Sequence, residues 1–516
     1  MDWLMTNLID PLTTVIYNYV LCVLLVGAGL WFTIRSRGLQ FRLFTRMIKV
    51  VTQPSTDAAG GISSFQAFAV GLASRVGTGN IAGVAIALTI GGPGSIFWMW
   101  CVAALSMATA FIESTLAQMF KVRGPGRTFV GGPAYYIQRG LGSRRWGVVF
   151  AILLIFAFGF AFNMVQANSI SDTVSKVHGI SPGITAVVLV VLAAPILFGG
   201  TKRIASISGV ALPIIAGAYL LVAVVVIALN ISALPDALGL IVRSAFGLEQ
   251  AAGGIAGGMF ASLINGVKRG LFSNEGGMGS APNAAATATV SHPAKQGLVQ
   301  SLGVFVDTMV VCTATALVIL VSGVYDPSLT GTAAGGALTT AAVASTLGSW
   351  AIPLMTGMIF LFAFTSVLGN YSYAEVNFAF LGVKSGALTA LRVLVLATVA
   401  LGALVDLEVA WSVADIAMGF MALVNLVAIV RLAPWALGAL RDYEKRLASR
   451  NPNSWFEGSN NPELPGDLPG DIWIGEATME TDLAAALAPI LIVDEDRASQ
   501  PRPTTNSDGS GPTSLG

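Results

Sequence analysis

Eleven apolar stretches recur between about residues 12 and 432, each near the length of about 20 residues that a helix needs to cross a bilayer. They lie at about 12–34, 62–90, 95–120, 147–170, 184–200, 207–230, 252–289, 297–322, 350–381, 386–406 and 410–432. Hydrocarbon offers no partner to a bare N–H or C=O, so a spanning segment must satisfy its backbone internally, and a single run of this length does so as a helix. Charged residues make up 11% of the chain, against about 25% in an average globular domain, so lipid solvates most of it. The sequence predicts an all-α integral membrane protein with about 11 transmembrane helices. The segment at 184–200 is short and contains Pro195, which blurs its ends.

Lys and Arg set the orientation. They cluster at Arg35, Arg37, Arg42, Arg46 and Lys49, then Lys121, Arg123, Arg127, Arg139, Arg144 and Arg145. Lys202, Arg203, Lys295, Lys384, Arg431, Arg441, Lys445 and Arg446 follow. With eleven crossings all of these fall on one side, and the opposite loops hold only Lys176 and Arg243 beside Asp172, Asp236, Asp326, Asp406 and Glu408. The expected product is a multi-pass plasma-membrane protein with its N-terminus outside and its C-terminus cytoplasmic. The first segment is too long for a signal-peptide core, and Asp2 and Asp10 stand where positive charges would precede one. Gly38 to Val51 alternates apolar and basic residues, which suits either a helix lying in the inner leaflet or an ordinary positive loop. Beyond about residue 448, Pro, Gly, Asn, Asp and Ser dominate, and a largely disordered tail is expected; the apolar run 484–493 is too short to span.

Some function classes are excluded early. A net charge of +1 does not suit a nucleic-acid binder. Cys22, Cys101 and Cys312 sit apart in apolar segments and read as small buried residues, while His178 and His292 lack metal-ligand spacing. No nucleophile–base or metal set suggests an enzyme, and no obligate protein partner is evident.

Two of the apolar segments are interrupted. In the first, Arg75-Val76-Gly77-Thr78-Gly79-Asn80 places glycines and polar side chains mid-membrane. In the second, Lys268-Arg269-Gly270-Leu271-Phe272-Ser273-Asn274-Glu275-Gly276-Gly277-Met278-Gly279-Ser280-Ala281-Pro282 crowds charges, glycines and a proline. Irregular backbone at that depth survives only inside protein or against a wet cavity. The spans divide as one plus five plus five, and each break opens a set of five. Units of five related within one membrane must be inverted, and matching interruptions point to a transporter site. The expected divisions are an N-terminal helix at 1–37, an amphipathic linker at 38–61 and a first repeat at 62–230. A loop at 231–251, a second repeat at 252–433 and the tail at 434–516 complete the chain.

At the first break, amides of Gly77, Thr78 and Gly79 can face an anion, aided by a half-helix dipole. Carbonyls near Ala73 and Val76, with the Asn80 amide oxygen, suit a small hard cation. The competing reading is that the glycines serve close helix packing. At the second break, Lys268, Arg269 and Glu275 are expected to brace one another while unwound Phe272-Ser273-Asn274 backbone binds. An ionised group at the bilayer centre costs about 2.5–3.5 kcal/mol on insertion scales, so these groups cannot face lipid. Arg75, Glu113 and Asp307 bring the intramembrane sum to three positive and three negative groups, which suits a zwitterion. Glu113 is expected to accept N–H groups from unwound backbone, and Asp307 either ligates a cation or pairs with a basic neighbour. Asn163 and Gln166 share a helix face and suit either a polar ligand or interhelical glue. Thr365 and Ser366 offer adjacent hydroxyls to sodium, unless they bond back to their own helix.

The chain resembles the alanine/glycine:cation (sodium:alanine) symporters. The likeness rests on RVGTGNIAGVAIALTIGGPGSIFWMW (75–100), RGLFSNEGGMGSAPNAA (269–285), HPAKQGLVQSLGVFVDTMVVCTATALVIL (292–320) and FAFTSVLG (362–369), and covers most of residues 10–435. It implies a five-plus-five inverted repeat of the neurotransmitter:sodium symporter type with one extra N-terminal helix. It implies sodium-coupled uptake of a small neutral amino acid, alanine or glycine, by alternating access. By that likeness Ala73, Val76, Thr365 and Ser366 would hold sodium, the co-transported ion. Gly77, Thr78, Gly79 and Asn80 would meet the substrate carboxylate, with Gln166, Phe272, Ser273, Asn274 and Asn370 lining the pocket. Asn370 and Ser372 stand where the family usually has Trp and Tyr. Ser366 replaces a usual Thr, Gly276 a usual Ala and Ala110 a usual Lys. A smaller residue at 370 leaves room for a larger neutral amino acid, and the alternative of a proton-coupled symporter stays open because Asp307 or Glu275 could carry a proton.

Overall fold

The computed structural model describes residue 11 and residues 14–52, 62–124, 128–248, 255–326, 335–382, 385–449 and 454–474. Asp2, Asp10, Arg127, Lys384 and the run 484–493 lie outside them. Helix follows each apolar stretch. After a π-helical turn at Val15–Leu21 come α1 (Cys22–Arg35), α2 (Phe44–Thr52), α3 (Ser64–Arg75) and α4 (Gly79–Gly91). Next are α5 (Gly94–Met119), α6 (Pro133–Leu141), α7 (Arg144–His178), α8 (Pro182–Leu197) and α9 (Gly200–Leu229). The remainder are α10 (Leu234–Ala245), α11 (Ile255–Asn274), α12 (Ala281–Thr287), α13 (Pro293–Val321), α14 (Gly335–Leu347), α15 (Ala351–Phe380), α16 (Ser385–Leu404) and α17 (Leu407–Ala448). A two-residue strand pair, Val122–Arg123 with Phe129–Val130, interrupts an otherwise helical chain.

Among the described residues, seven helices are long and apolar enough to cross a membrane, with shorter apolar helices beside them. Their outer faces carry large apolar side chains: Val210, Ile214 and Leu221 on α9 are about two-thirds exposed, a surface that hydrocarbon solvates and water would not. Two groups of helices pack together. α13 and α11 lie along α5, and α7 and α8 lie along α16, with α15 also against α7. α3 touches α9, α15 and α13, so the first break is enclosed from several sides.

The connecting segments hold more helix than sequence suggested. α6, α10 and α14 fall in stretches read as loops, because each is short enough for its apolar face to be hidden by packing. α14 packs on α15 and on the π-helical start of α4. At this end of the bundle Thr339 donates to the Ile81 carbonyl (3.4 Å) and Tyr325 to that of Leu88 (3.4 Å).

The chain beyond α17 packs back onto the bundle. The expectation of disorder beyond about 448 does not hold for residues 454–474. Phe456, Leu464, Leu468 and Trp473 are buried in the main core cluster. Trp473 donates Nε1–H to the Gln118 carbonyl (3.1 Å), the Phe456 amide meets the Ser291 carbonyl (2.8 Å), and Glu463 pairs with Arg441 (2.8 Å). Polar, turn-rich composition suggests disorder only until spaced apolar anchors find a surface, and α17 supplies one by running past the expected end at 432 to Ala448.

His292 sits beneath this clasp. Its Nδ1 accepts the Ala294 amide (3.1 Å) and its Nε2 lies 2.9 Å from Asp442 Oδ2. The neutral Nε2–H tautomer satisfies both contacts, and burial, the largest influence, holds the ring's pKa down at about 4. An unfolded His titrates near 6.5, so between about pH 6.5 and 4 the unfolded chain binds the extra proton. Stability from this site is complete above about 6.5 and is lost as pH falls toward 4. Thermal melts of the detergent-solubilised protein should show that decline, and His292→Ala should flatten it while lowering the melt at pH 7.

Candidate functional site

The first break begins where α3 stops. Val76 is extended, and α4 resumes as a π-helix, Gly79–Gly83. The freed amides turn to side chains: Gly77 N–H donates to Asn80 Oδ1 (2.9 Å) and Thr78 N–H to Gln166 Oε1 on α7 (3.2 Å). Glycine here is also a matter of space. A Cβ at Gly77 would stand 2.3 Å from Ser366 Oγ, and one at Gly79 would stand 2.9 Å from the Phe272 ring. Close packing and amides turned to side-chain oxygens occur together at this break.

The second break starts later than expected. Phe272, Ser273 and Asn274 are still helical, ending α11, and the irregular stretch runs from Glu275 to Ser280. Gly277 and Gly279 take positive φ of 91° and 82°, and Glu275, a residue with a side chain, takes 56°. Asn274 Oδ1 accepts the Gly276 amide (2.9 Å), a local turn that ends the helix. Glu113 on α5 accepts the Gly277 amide through Oε1 (3.2 Å) and Asn425 Nδ2 through Oε2 (2.9 Å).

One point joins the first break to the end of α11, just before the second. Asn80 Nδ2 donates to Asp307 Oδ1 (2.6 Å) and to Ser273 Oγ (3.1 Å), and Ser273 donates to Asp307 Oδ2 (2.6 Å). Asp307 lies in a π-helical stretch of α13, Phe305–Cys312, and also accepts from Thr308 Oγ1 (2.8 Å). Such bulges often mark functional sites. Cys312 Sγ, 3.3 Å from Asn80 Nδ2, completes the cluster. Asn80, Ser273 and Asp307 are fully buried. The preceding residue, Phe272, lies between Phe162 (4.5 Å, stacked) and Trp411 (4.5 Å). Thr78 Oγ1 and Asn274 Nδ2 are buried without a hydrogen-bond partner among the described residues.

Of the residues assigned to sodium, Ser366 Oγ donates to the Ala73 carbonyl (3.0 Å), which brings α15 against the end of α3. Val76 is buried at the same break. Thr365 is turned back on its own helix, its hydroxyl 3.0 Å from the carbonyls of Leu361 and Phe362. Asn370 is placed behind the first break, donating to Asn163 Oδ1 (3.0 Å) and lying 2.9 Å from Ser74 Oγ.

The charges are arranged differently from the expected brace. Arg269 pairs with Asp415 on α17 (2.9 Å) and lies over the Trp411 ring (4.4 Å), while Glu275 meets Ser74 and Ser280. Asp415 was missed, although an acid inside the apolar run 410–432 is itself a signal. It tips the intramembrane balance toward negative, so the equal sum read from sequence does not hold. Arg75 donates to the Gln300 carbonyl (3.3 Å) and interacts electrostatically with Glu113, Glu275 and Asp307.

A multi-pass helical membrane protein with polar groups converging on two buried helix breaks belongs to the class of secondary transporters rather than enzymes. The family model described as the sodium:alanine symporter family matches residues 1–456, and the chain belongs to that family of amino-acid symporters. It is 46% identical over 464 residues to the amino-acid carrier protein AlsT of Bacillus subtilis, covering 90% of this chain and 97% of that one. It is 44% identical over 455 residues (88% and 94%) to the probable sodium/glutamine symporter GlnT of the same organism. It is 38% identical over 419 residues (78% and 92%) to the sodium/proton-dependent alanine carrier protein of Bacillus sp. PS3.

Proposed function

We propose that this protein takes up a small neutral amino acid, alanine or glycine, in symport with sodium by alternating access. The observation that carries the reading is the meeting of Asn80, Ser273 and Asp307, which ties the residue after the first break to the last turn of α11 before the second at one buried point. The Gly77 and Thr78 amides of the first break face carbonyl-type oxygens, of Asn80 and Gln166, and a substrate carboxylate offers the same acceptor with a full charge. The Asp307 carboxylate supplies the opposite charge that a zwitterion requires. Sodium would lie by the Ala73 and Val76 carbonyls and Ser366, with Thr365 joining once its hydroxyl leaves its own helix. Phe272, Gly79 and Asn274 line the same place, and Glu113 holds the second break in shape.

The matched breaks support a five-plus-five inverted repeat preceded by one helix, with the basic end cytoplasmic and the N-terminus outside. One sodium entering contributes about 2.3 kcal/mol per 100 mV, in addition to its concentration ratio. The name of the GlnT relative, and Asn370 in place of a larger residue, favour glutamine as the second substrate to try.

The test is uptake of labelled alanine, glycine and glutamine into proteoliposomes under an imposed sodium gradient. Accumulation of alanine or glycine that collapses with the gradient is expected. Uptake indifferent to sodium would overturn the coupling, and no gradient-driven uptake across an amino-acid panel would overturn the symporter reading.

A further inference from the structure

From Pro11 to Thr56 the sequence holds no Asp or Glu, yet Arg35, Arg37, Arg42, Arg46 and Lys49 all fall within it. The turn that carries them off the end of α1 is a built one. Arg37 and Gly38 take positive φ of 56° and 65°, a backbone conformation that costs a residue with a side chain. Arg42 secures it, donating from Nη2 to the Ser36 carbonyl (3.0 Å) and from Nε to that of Arg37 (3.3 Å). Arg42 also pairs with Glu444 on α17 (2.7 Å), and among the described residues it is the only one of the five to meet a carboxylate. Arg46 donates to the neutral Tyr443 hydroxyl (2.9 Å), and its Nη2 is buried with no hydrogen-bond partner among the described residues. Arg35, Arg37 and Lys49 are exposed.

The helix that follows is held by its inner face. α2 packs on α13 and α3, with Met47 and Val50 buried and Phe44 edge-on to Phe305 of α13 (4.8 Å). Its outward face carries Thr45, Ile48, Lys49 and Thr52, spaced as one side of a helix. Ile48 is 43% exposed, and Phe41, just before α2, is 72% exposed. These side chains continue the outward apolar face of α1, where Leu30, Trp31 and Ile34 are also exposed. Water does not favour such a surface, and hydrocarbon does not favour the cations set among it. The boundary between acyl chains and headgroups suits both.

We propose that this face binds anionic phospholipid, with phosphate headgroups at Arg35, Arg37 and Lys49 and acyl chains against Phe41 and Ile48. Charge complementarity selects the headgroup. A zwitterionic lipid brings a cation of its own to a surface with no unpaired acid to receive it, whereas an anionic one leaves its phosphate charge to the protein's cations. Continuity with the outward face of α1 selects a lipid over a protein segment as the occupant. Of the two readings of residues 38–51, this favours the helix lying in the membrane surface over the ordinary loop. The site goes beyond the symport reading and does not depend on which solute crosses.

The test is the thermal melt of the full-length protein in detergent, titrated with phosphatidylglycerol or with phosphatidylcholine of the same acyl chains. Phosphatidylglycerol should raise the melt at the lower concentration, and added salt should narrow the difference. One cation near an anionic lipid surface is worth about fivefold in affinity, so Arg37→Gln and Lys49→Gln should each move the phosphatidylglycerol midpoint up by about that factor. Lys445→Gln is the control: it removes the same charge from a side chain already paired with Glu463, and should leave the midpoint in place. Soluble glycerol phosphate, which has the phosphate without the chains, should not reproduce the shift. Equal responses to the two lipids would overturn the proposal, as would a preference that survives when Arg35→Gln, Arg37→Gln and Lys49→Gln are combined. An equal loss in Lys445→Gln would assign the effect to overall charge, and a full shift with glycerol phosphate would make the occupant a free anion; either overturns it. If the combined variant does not fold, Lys49→Gln alone decides, since that exposed side chain has no hydrogen bond to lose, and an unmoved midpoint there overturns the proposal.

Discussion

Gly77→Ala should reduce uptake by at least about 100-fold while leaving expression and membrane insertion intact, a loss of about 2.7 kcal/mol in the transport barrier. The added Cβ would stand 2.3 Å from Ser366 Oγ, 3.1 Å from Gln166 Oε1 and 3.2 Å from Ser366 Cβ. Neither neighbour can retreat without loss, since Ser366 Oγ bonds the carbonyls of Ala73 (3.0 Å) and Phe362 (3.0 Å) and Gln166 Oε1 accepts the Thr78 amide. Overpacking of this kind costs about 1–3 kcal/mol in a rigid core. Here the strain can be relieved by moving α15 off the end of α3, which separates the proposed sodium contacts. The variant should therefore keep its thermal melt more nearly than its uptake. Gly27→Ala is the control, because a Cβ on that α1 residue meets nothing within 4 Å. Uptake above about a tenth of wild type in Gly77→Ala would show that the close approach at Ser366 is dispensable.

Asp307→Asn should be nearly as severe for a different reason. The substitution keeps size and shape. Ser273 and Thr308 approach Oδ2 through hydroxyls at 2.6 and 2.8 Å, and hydroxyls can reverse to accept from an amide nitrogen. Asn80 Nδ2 still finds an oxygen at the Oδ1 position. The fold loses only the difference between charged and neutral hydrogen bonds, about 1 kcal/mol each. Transport loses the full negative charge facing the first break, which no neighbouring dipole replaces. The expected result is a melt lowered by a few degrees with uptake down at least about 100-fold at saturating sodium. Wild-type uptake and sodium dependence in Asp307→Asn would show that this carboxylate serves packing alone.

How much of this was legible beforehand depended on range along the chain. Run length and hydropathy are local, so every expected apolar stretch contains helix. The break at Gly77 was legible because glycines inside an apolar run weaken a helix wherever it folds. The second break was displaced by a few residues, because helix persists through Asn274 until the Asn274 side chain caps it and Glu275 turns left-handed. The hydrogen bond from the Gly277 amide to Glu113 is of the kind expected of a buried acid opposite unwound backbone.

Pairings across the bundle were not legible. Nothing local says that Arg269 meets Asp415 instead of Glu275, or that Trp411 closes over Phe272. The tail misled for the complementary reason: its composition is that of a disordered segment, and only the surface made by α5, α13 and α17 gives Phe456 and Trp473 somewhere to go.

The sequence by itself determined that this chain lives in a membrane as helices, where two of those helices break, and which polar residues lie beside the breaks. Those are consequences of hydrophobic length and backbone propensity, which act over tens of residues at most. The tertiary structure alone decided that Asn80, Ser273 and Asp307 converge, and that Glu275 shares its hydrogen bond with Ser74 rather than its charge with Arg269. Partners separated by some two hundred residues are chosen by how helices cross and pack, and in a buried, water-poor interior each polar group takes whichever partner that packing brings within reach.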